Sequence, residues 1–325
     1  MVEASVAIVG GGIGGLTAAL SMQRAGVRVS VYERTSELGE VGAGLIVSES
    51  ALRGLDFLGI CDAVRALAGK YPERGYHTLK HFATGEVIQP ALDNGEGRFL
   101  SIALHRADLQ SVLVGAVRAN DPGCLHLGHE FASVENGPGP IRVSFTNGTT
   151  CSADAVIGAD GGTSAVRSFV FGDEPVDFTG KVSYRGLIPE ALLTPELDAM
   201  SGSYYLGPER MFLTYYVRGT EFLNVVAHSR QLGWAEEGWS IPRDERGTPG
   251  ALLRVLRRGP QRYRDGPARE PLQVGAARPV AEPAVGERPC RAARRRRAPD
   301  AAVPGPGWEP GDGRRDRART LLRGR

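Results

Sequence analysis

Gly10, Gly12 and Gly15 stand at G-x-G-x-x-G spacing, and Glu33 follows 18 residues after the last of them. In such a set the first glycine permits a tight turn and the second admits a pyrophosphate against the backbone. The third lets a helix pack closely on a strand. A carboxylate about 20 residues on accepts the hydroxyls of an adenosine ribose. The chemistry is dinucleotide binding, and these residues alone leave FAD and NAD(P) both open. Further positions carry polar chemistry of interest. Asp160 precedes Gly161-Gly162, where its carboxylate can accept from a polyol or bond the amides of its own turn. Arg106 and Arg34 can reach phosphate or simply sit at the surface. Tyr215 and Tyr216, like Tyr204 and Tyr205, are adjacent pairs on strand-like stretches. One of each pair faces each side of a sheet, so one can meet a phenol or carboxylate while the other packs.

These residues need positioning elements, and the pattern supplies them. Ser5 to Val9 is a short apolar, largely β-branched run of the kind a buried parallel strand uses. Leu16 to Gly26 reads as an amphipathic helix capped by Gly26, and Val27 to Tyr32 as a second strand ending at Glu33. The helix N-terminus then offers free N–H groups and a positive dipole end to phosphate. Asp108 to Val117 reads as a helix behind Arg106. Ile141 to Phe145 alternates, Asn147-Gly148 turns, and Thr149 to Ser152 returns, a hairpin that feeds the apolar strand Ala155 to Ala159. Ser164 is placed to cap the helix after it. From Phe178 the pattern turns strand-rich, with runs at 182–188, 202–206, 210–217 and 221–227.

Composition bounds the rest. The chain has 325 residues, 42% hydrophobic and 7% aromatic, with 39 basic and 37 acidic side chains for a net +2. That balance is a cancellation: residues 251–325 hold 19 Arg, no Lys and 8 acids, a charge of +11, which leaves −9 for the first 250. The last 75 residues also hold 10 of the 21 prolines. No apolar run approaches the ~18 residues that cross a bilayer. The N-terminus lacks a basic signal-peptide region, and a cytoplasmic protein is expected. Cys61, Cys124, Cys151 and Cys290 are scattered without a CxxC pair, so reduced thiols and no metal site are expected.

Three further segments carry a resemblance. Gly42-Ala43-Gly44-Leu45 through Ala51-Leu52-Arg53-Gly54-Leu55-Asp56-Phe57-Leu58-Gly59 is similar to the second helix region of flavin monooxygenases. Leu104-His105-Arg106-Ala107-Asp108-Leu109 resembles their arginine-bearing helix start. Asp154 to Gly161 through Ser164-Ala165-Val166-Arg167 resembles their DG motif. With the glycine fingerprint, residues 1 to 250 resemble the single-component FAD aromatic hydroxylases, the salicylate and p-hydroxybenzoate hydroxylase group. The resemblance implies an α/β fold, a Rossmann-like FAD-binding domain with an inserted antiparallel β-sheet substrate region. It implies FAD as cofactor, NAD(P)H as co-substrate, and O₂-dependent hydroxylation of a small aromatic acid or phenol. Cofactor contacts would be Gly10, Gly12, Gly15, Glu33, Arg34, Arg106 and Asp160, with Arg106 near the pyrophosphate; Tyr215 and Tyr216 are weaker substrate candidates. Tyr184 to Pro189 is similar to the strand that enters the substrate region. Val47-Ser48-Glu49-Ser50 stands where many relatives have Pro-Asn, and Ile46 where some have histidine, so no catalytic base is identified. A reductase or epoxidase on the same scaffold, or a non-catalytic remnant, is the alternative.

The expected division is 1–177 for FAD binding, 178–254 for the β-rich substrate region, and 255–325 for an Arg/Pro/Gly-rich tail. As protein the tail reads as disordered, or as a non-specific binder of nucleic-acid backbones; no specific nucleic acid or membrane partner is expected. The genetic code gives another reading. Dropping the first base of each codon from Arg294 to Pro310 lets the stretch spell G-D-A-A-H-P-M-L-P-Y-L-A-Q-G-G-N-Q, with the middle base of each shifted codon chosen where the code permits and fixed or two-fold at Trp308, Asp300 and Glu309. That phrase resembles the family's GD flavin motif and its Pro…Gln-Gly loop, and Gln273 to Arg278 similarly spells K-W-G-L-H-D. The expectation is a one-base frame change between about Arg254 and Pro271, with loss of the C-terminal flavin motif from this chain.

Overall fold

A computed structural model of the chain describes residues 4–39, 43–70, 78–91, 101–173, 178–231 and 278–280. In chain order its elements are β1 (Ser5–Val9), α1 (Ile13–Arg24), β2 (Arg28–Glu33), β3 (Gly44–Val47), α2 (Glu49–Phe57), α3 (Cys61–Arg65), β4 (Thr78–His81), β5 (Val87–Gln89), β6 (Ile102–His105), α4 (Arg106–Asn120), β7 (Leu125–Leu127), β8 (Phe131–Glu135), β9 (Ile141–Phe145), β10 (Thr150–Ala153), β11 (Ala155–Gly158), α5 (Ala165–Phe171), β12 (Lys181–Pro189), α6 (Pro195–Asp198), β13 (Ser203–Gly207), β14 (Arg210–Val217), β15 (Phe222–Arg230) and β16 (Arg278–Val280). Two compact units emerge, each drawn from separated stretches. Among the described residues, the first combines those of Met1–Leu38 and Val117–Thr179; the second combines those of Gly39–Ala116 and Gly180–Glu282. Apart from 278–280, the tail expected at 255–325 lies outside the described residues, as does Cys290. Cys61, Cys124 and Cys151 are free thiols.

In the first unit, β1 is hydrogen-bonded in parallel to β11 on one side and β2 on the other, and β2 to β7. A parallel sheet is covered on both faces, which is why β1 reads as continuous apolar sequence and four of its five residues are buried. Helix α1 lays Leu16, Ala19 and Leu20 inward. A second core lies among Ala7, Val9 and Tyr32 of the sheet, Ile141, Val143 and Phe145 of the β8–β9–β10 sheet, and Val166 and Val170 of α5. Here β9 alternates buried and exposed along IRVSF, as a half-covered antiparallel strand does. Ser5 and Asp154 tie the starts of β1 and β11: the Ser5 amide and hydroxyl each donate to Asp154 Oδ2 at 2.8 Å.

In the second unit, strands β16-β12-β15-β14-β13-β4-β5 form one sheet, antiparallel except for the β13–β4 pair. One face buries Tyr205, Phe212, Tyr216, Leu223 and Val225 with Leu197 and Met200 around α6. The opposite face buries Leu213, Tyr215, Val217 and Val226 against Ala103 and Ile46 of a two-stranded antiparallel ribbon, β3–β6. The adjacent pairs Tyr204/Tyr205 and Tyr215/Tyr216 therefore split between the two faces, as strand alternation requires. No described helix is long and apolar enough to cross a membrane.

Candidate functional site

The glycine turn joins β1 to α1. Gly10 has φ +112°, and a Cβ there would meet the Ala159 carbonyl oxygen at 2.3 Å. A Cβ on Gly15 would lie 1.9 Å from the Gly10 carbonyl oxygen. Both glycines are thus demanded by the fold: one by backbone conformation and contact, the other by the approach of helix to strand. Gly12 differs, because a Cβ there meets nothing within 4 Å. It is also the N-cap of α1, and no side chain caps the helix. Serine or aspartate at that place would satisfy a first-turn amide; glycine leaves the amides of Ile13 and Gly14 without a carbonyl one turn back. The result is an open cradle of amide donors at the positive end of a helix dipole, which fits a pyrophosphate.

Glu33, the last residue of β2, turns its carboxylate back onto this loop. Oε2 accepts from the Gly11 amide at 2.7 Å, and Oε1 accepts from the Thr35 amide and hydroxyl at 3.0 and 3.1 Å. A carboxylate has about four acceptor positions, so Oε2 keeps one for an incoming hydroxyl. Thr35 is a positioning residue with no sequence signature. Arg34 is exposed. Asp160 lies beyond β11, half-buried, and its oxygens accept from the Ser164 hydroxyl and from the Val166 amide at 3.2 Å. Ser164 in turn accepts from the Arg167 amide at 2.9 Å, the helix cap expected for α5. The carboxylate thus organises its own turn, and its remaining lone pairs are what a polyol would meet.

In the second unit, Arg106 is the first residue of α4, with its amide donating to the Ala43 carbonyl at 3.0 Å. Asp108, in the first turn, is gripped by Arg218: Nε donates to Oδ2 at 2.9 Å and Nη2 to Oδ1 at 2.7 Å. His105 lies 4.0 Å from Asp108, 6% exposed, with Nδ1 lacking a hydrogen-bond partner. Burial, reinforced by Arg218, depresses its pKa and keeps the ring neutral. The amide of Gly44 donates to Asn224 Oδ1 at 2.9 Å, and a Cβ on Gly44 would strike Asn224 and Tyr215 at 2.6 and 2.7 Å. Arg185 Nη1 reaches the Gly44 carbonyl at 3.5 Å. Burial raises the Tyr215 phenol above its ordinary pKa and so favours its neutral form. Tyr216 donates to Asp198 on the other face of the sheet. The two tyrosines are therefore in different environments.

A βαβ turn with an open amide cradle and an acid at the end of β2 defines the class: a nucleotide-binding α/β protein. The chain belongs to the FAD binding domain family, whose sequence profile matches residues 3–189. It is 36% identical over 215 residues to a 3-amino-4-hydroxybenzoate 2-monooxygenase of Streptomyces cremeus, covering 65% of this chain and 52% of that protein. It is 33% identical over 245 residues to a 3-hydroxybenzoate 6-hydroxylase of Polaromonas naphthalenivorans, covering 73% and 58%. The chain spans somewhat over half the length of these curated relatives. Its fold is that of CtdE crystallised with FAD and a substrate, with TM-score 0.65 at 20% identity over 75% of this chain and 61% of that one. It also matches HpxO of Klebsiella pneumoniae with FAD and uric acid, with TM-score 0.59 at 22% identity over 72% and 58%.

Proposed function

We propose that this chain is the greater part of an FAD-dependent monooxygenase that hydroxylates a small aromatic acid or phenol, using NAD(P)H and O₂, in the cytoplasm. The observation that carries the reading is Gly12: a glycine in open space, at an uncapped helix start, beside two glycines that packing already explains. The relatives named for hydroxybenzoates supply the substrate class. When bound, the flavin supplies the redox chemistry, taking electrons from NAD(P)H and passing them to O₂. The chain's own residues bind and orient. Gly10, Gly12 and Gly15 would shape the pyrophosphate seat, Glu33 would take the ribose hydroxyls, and Asp160 would meet the ribityl chain. Arg106 and Arg34 would answer phosphate charge. Tyr215 would hydrogen-bond from the ribbon-facing side of the sheet, whereas Tyr216 is engaged by Asp198.

We assign the pieces as 1–177 for flavin binding and 178–254 for the β-rich substrate region, with 255–325 the out-of-frame counterpart of a missing flavin motif. The charge break at residue 251 and the family-like phrase in the shifted frame support this. Codons read between Arg254 and Pro271 should show a one-base change; an intact frame whose wobble bases do not spell the phrase would overturn it. The function is tested by equilibrium dialysis of FAD against the chain and by NAD(P)H oxidation in a frame-restored version. Saturable FAD binding and oxidation stimulated by hydroxybenzoates are expected. Oxidation indifferent to any phenolic acid would favour a reductase.

A further inference from the structure

We infer that Arg218, on the tip of the β14–β15 hairpin, is a positioning residue for Arg106 on α4. The assignment rests on the proposed FAD reading for its ligand and on the geometry of the second unit for its mechanism. Arg218 has φ +53° and is followed by Gly219 at φ +65°. A bulky side chain in the left-handed region is disfavoured, and glycine or asparagine would sit there at lower cost. Strain of this kind persists where the surroundings enforce it and is informative when observed.

What the strained conformation delivers is a fork. Three bonds, at 2.7, 2.9 and 3.3 Å, run from the Arg218 guanidinium to both oxygens of Asp108. Such planar two-point recognition fixes direction as well as distance. The base of the fork is rigid, because the hairpin tip is docked by backbone bonds: the Lys70 amide donates to the Gly219 carbonyl at 2.7 Å and the Gly219 amide to the Ala68 carbonyl at 3.4 Å. The tyrosine before the tip adds a contact that only glycine permits, since a Cβ on Gly69 would lie 1.8 Å from the Tyr216 carbonyl oxygen.

Arg106 sits at the joint between β6 and α4. On its strand side the joint is fixed by the Arg106 amide on the Ala43 carbonyl and by the Gly44–His105 pairing in the ribbon. On its helix side the first turn is fixed by Arg218 through Asp108, two residues further on. The Arg218 side chain is 39% exposed, and ion pairs so placed contribute little to stability. The effect of the fork is therefore expected in the direction in which α4 leaves the strand, and so in where Arg106 presents its charge.

The test uses the full chain. Arg218→Asn keeps a residue that tolerates the left-handed turn but cannot reach Asp108; Arg218→Lys keeps the charge without the fork. Arg230→Gln, which removes another exposed pair with Glu209, is the control. In Arg218→Asn, the FAD dissociation constant by equilibrium dialysis should rise about five-fold with the melting temperature unchanged. Arg218→Lys should fall between it and the parent, and Arg230→Gln should match the parent. Amide exchange at residues 107–110 should accelerate in Arg218→Asn alone. Unchanged affinity, unchanged exchange, or a melting-temperature loss that tracks the affinity loss would each overturn the assignment. A parent chain that binds no FAD at any concentration would overturn the proposed function and the link to Arg106 together. Failure of the latch alone is distinguished by exchange that does not respond while the parent still binds FAD.

Discussion

An alanine at Gly15 would place its methyl carbon 1.9 Å from the Gly10 carbonyl oxygen, a backbone atom with no room to retreat. Gly15→Ala is expected to destabilise by about 1–3 kcal/mol or more, read as a lowered denaturation midpoint. Alanine at Gly12 meets nothing, so Gly12→Ala should leave the midpoint within about 0.5 kcal/mol while weakening FAD binding several-fold. A Gly12→Ala chain that loses stability but not affinity would show that the cradle is structural. The glycine roles were legible in the sequence because they are matters of spacing and residue type. The partners that aim the acids were legible only in part: the amide bonding of Asp160 and the Ser164 cap were expected, whereas Thr35 on Glu33 and the Ser164 hydroxyl on Asp160 are short-range bonds that composition does not single out. The tyrosine pairs show the same limit. Alternation puts Tyr215 and Tyr216 on opposite faces, but only the fold brings Asp198 to one and Gly44 to the other.

The β3–β6 ribbon is the element that local pattern could not reveal. GLIV and IALH are four-residue apolar runs far apart in sequence, and neither carries a turn signal pointing to the other. Strands β1, β9 and β14, by contrast, begin and end where the sequence places them, because continuous burial or clean alternation is visible within one window. Helix α1 starts at Ile13 rather than Leu16, since Gly14 and Gly15 are poor helix formers held helical by contact with the turn. The ribbon itself depends on Asn224, fully buried, whose Oδ1 is the acceptor for the Gly44 amide and whose Nδ2 has no partner. Asn224→Leu leaves that amide unsatisfied and should cost about 1–3 kcal/mol in urea denaturation. Asn224→Asp preserves the acceptor and should restore much of the loss at low pH, where the buried carboxyl is protonated; equal damage from both there would assign the effect to packing.

At the level of the whole chain, the family match and the charge break fall at different places. The profile match stops at residue 189, strand β15 ends at Arg230, the Arg-rich stretch begins about twenty residues later, and the short strand β16 (Arg278–Val280) within that stretch pairs with β12. On the proposed reading, in which the tail stands in place of a flavin-holding segment, the chain should keep the amide cradle but hold the cofactor weakly. Purification of the chain as written is expected to yield protein with well under stoichiometric flavin absorbance. A fully yellow protein would mean that the N-terminal contacts suffice.

The interleaving of the two units carries a consequence for synthesis. Val6 in β1 pairs with Ala155 in β11, and Thr78 in β4 with Ser203 in β13. Neither β1 nor β4 can complete its hydrogen bonding until a partner more than a hundred residues downstream has left the ribosome. At 5–20 residues per second, β1 waits roughly 7–30 s with one edge open. During that interval the second unit's first half also emerges without the strands that cover it. Such long-range closure favours slow folding and exposes apolar edges in transit, so this chain is expected to lean on chaperones while it is being made.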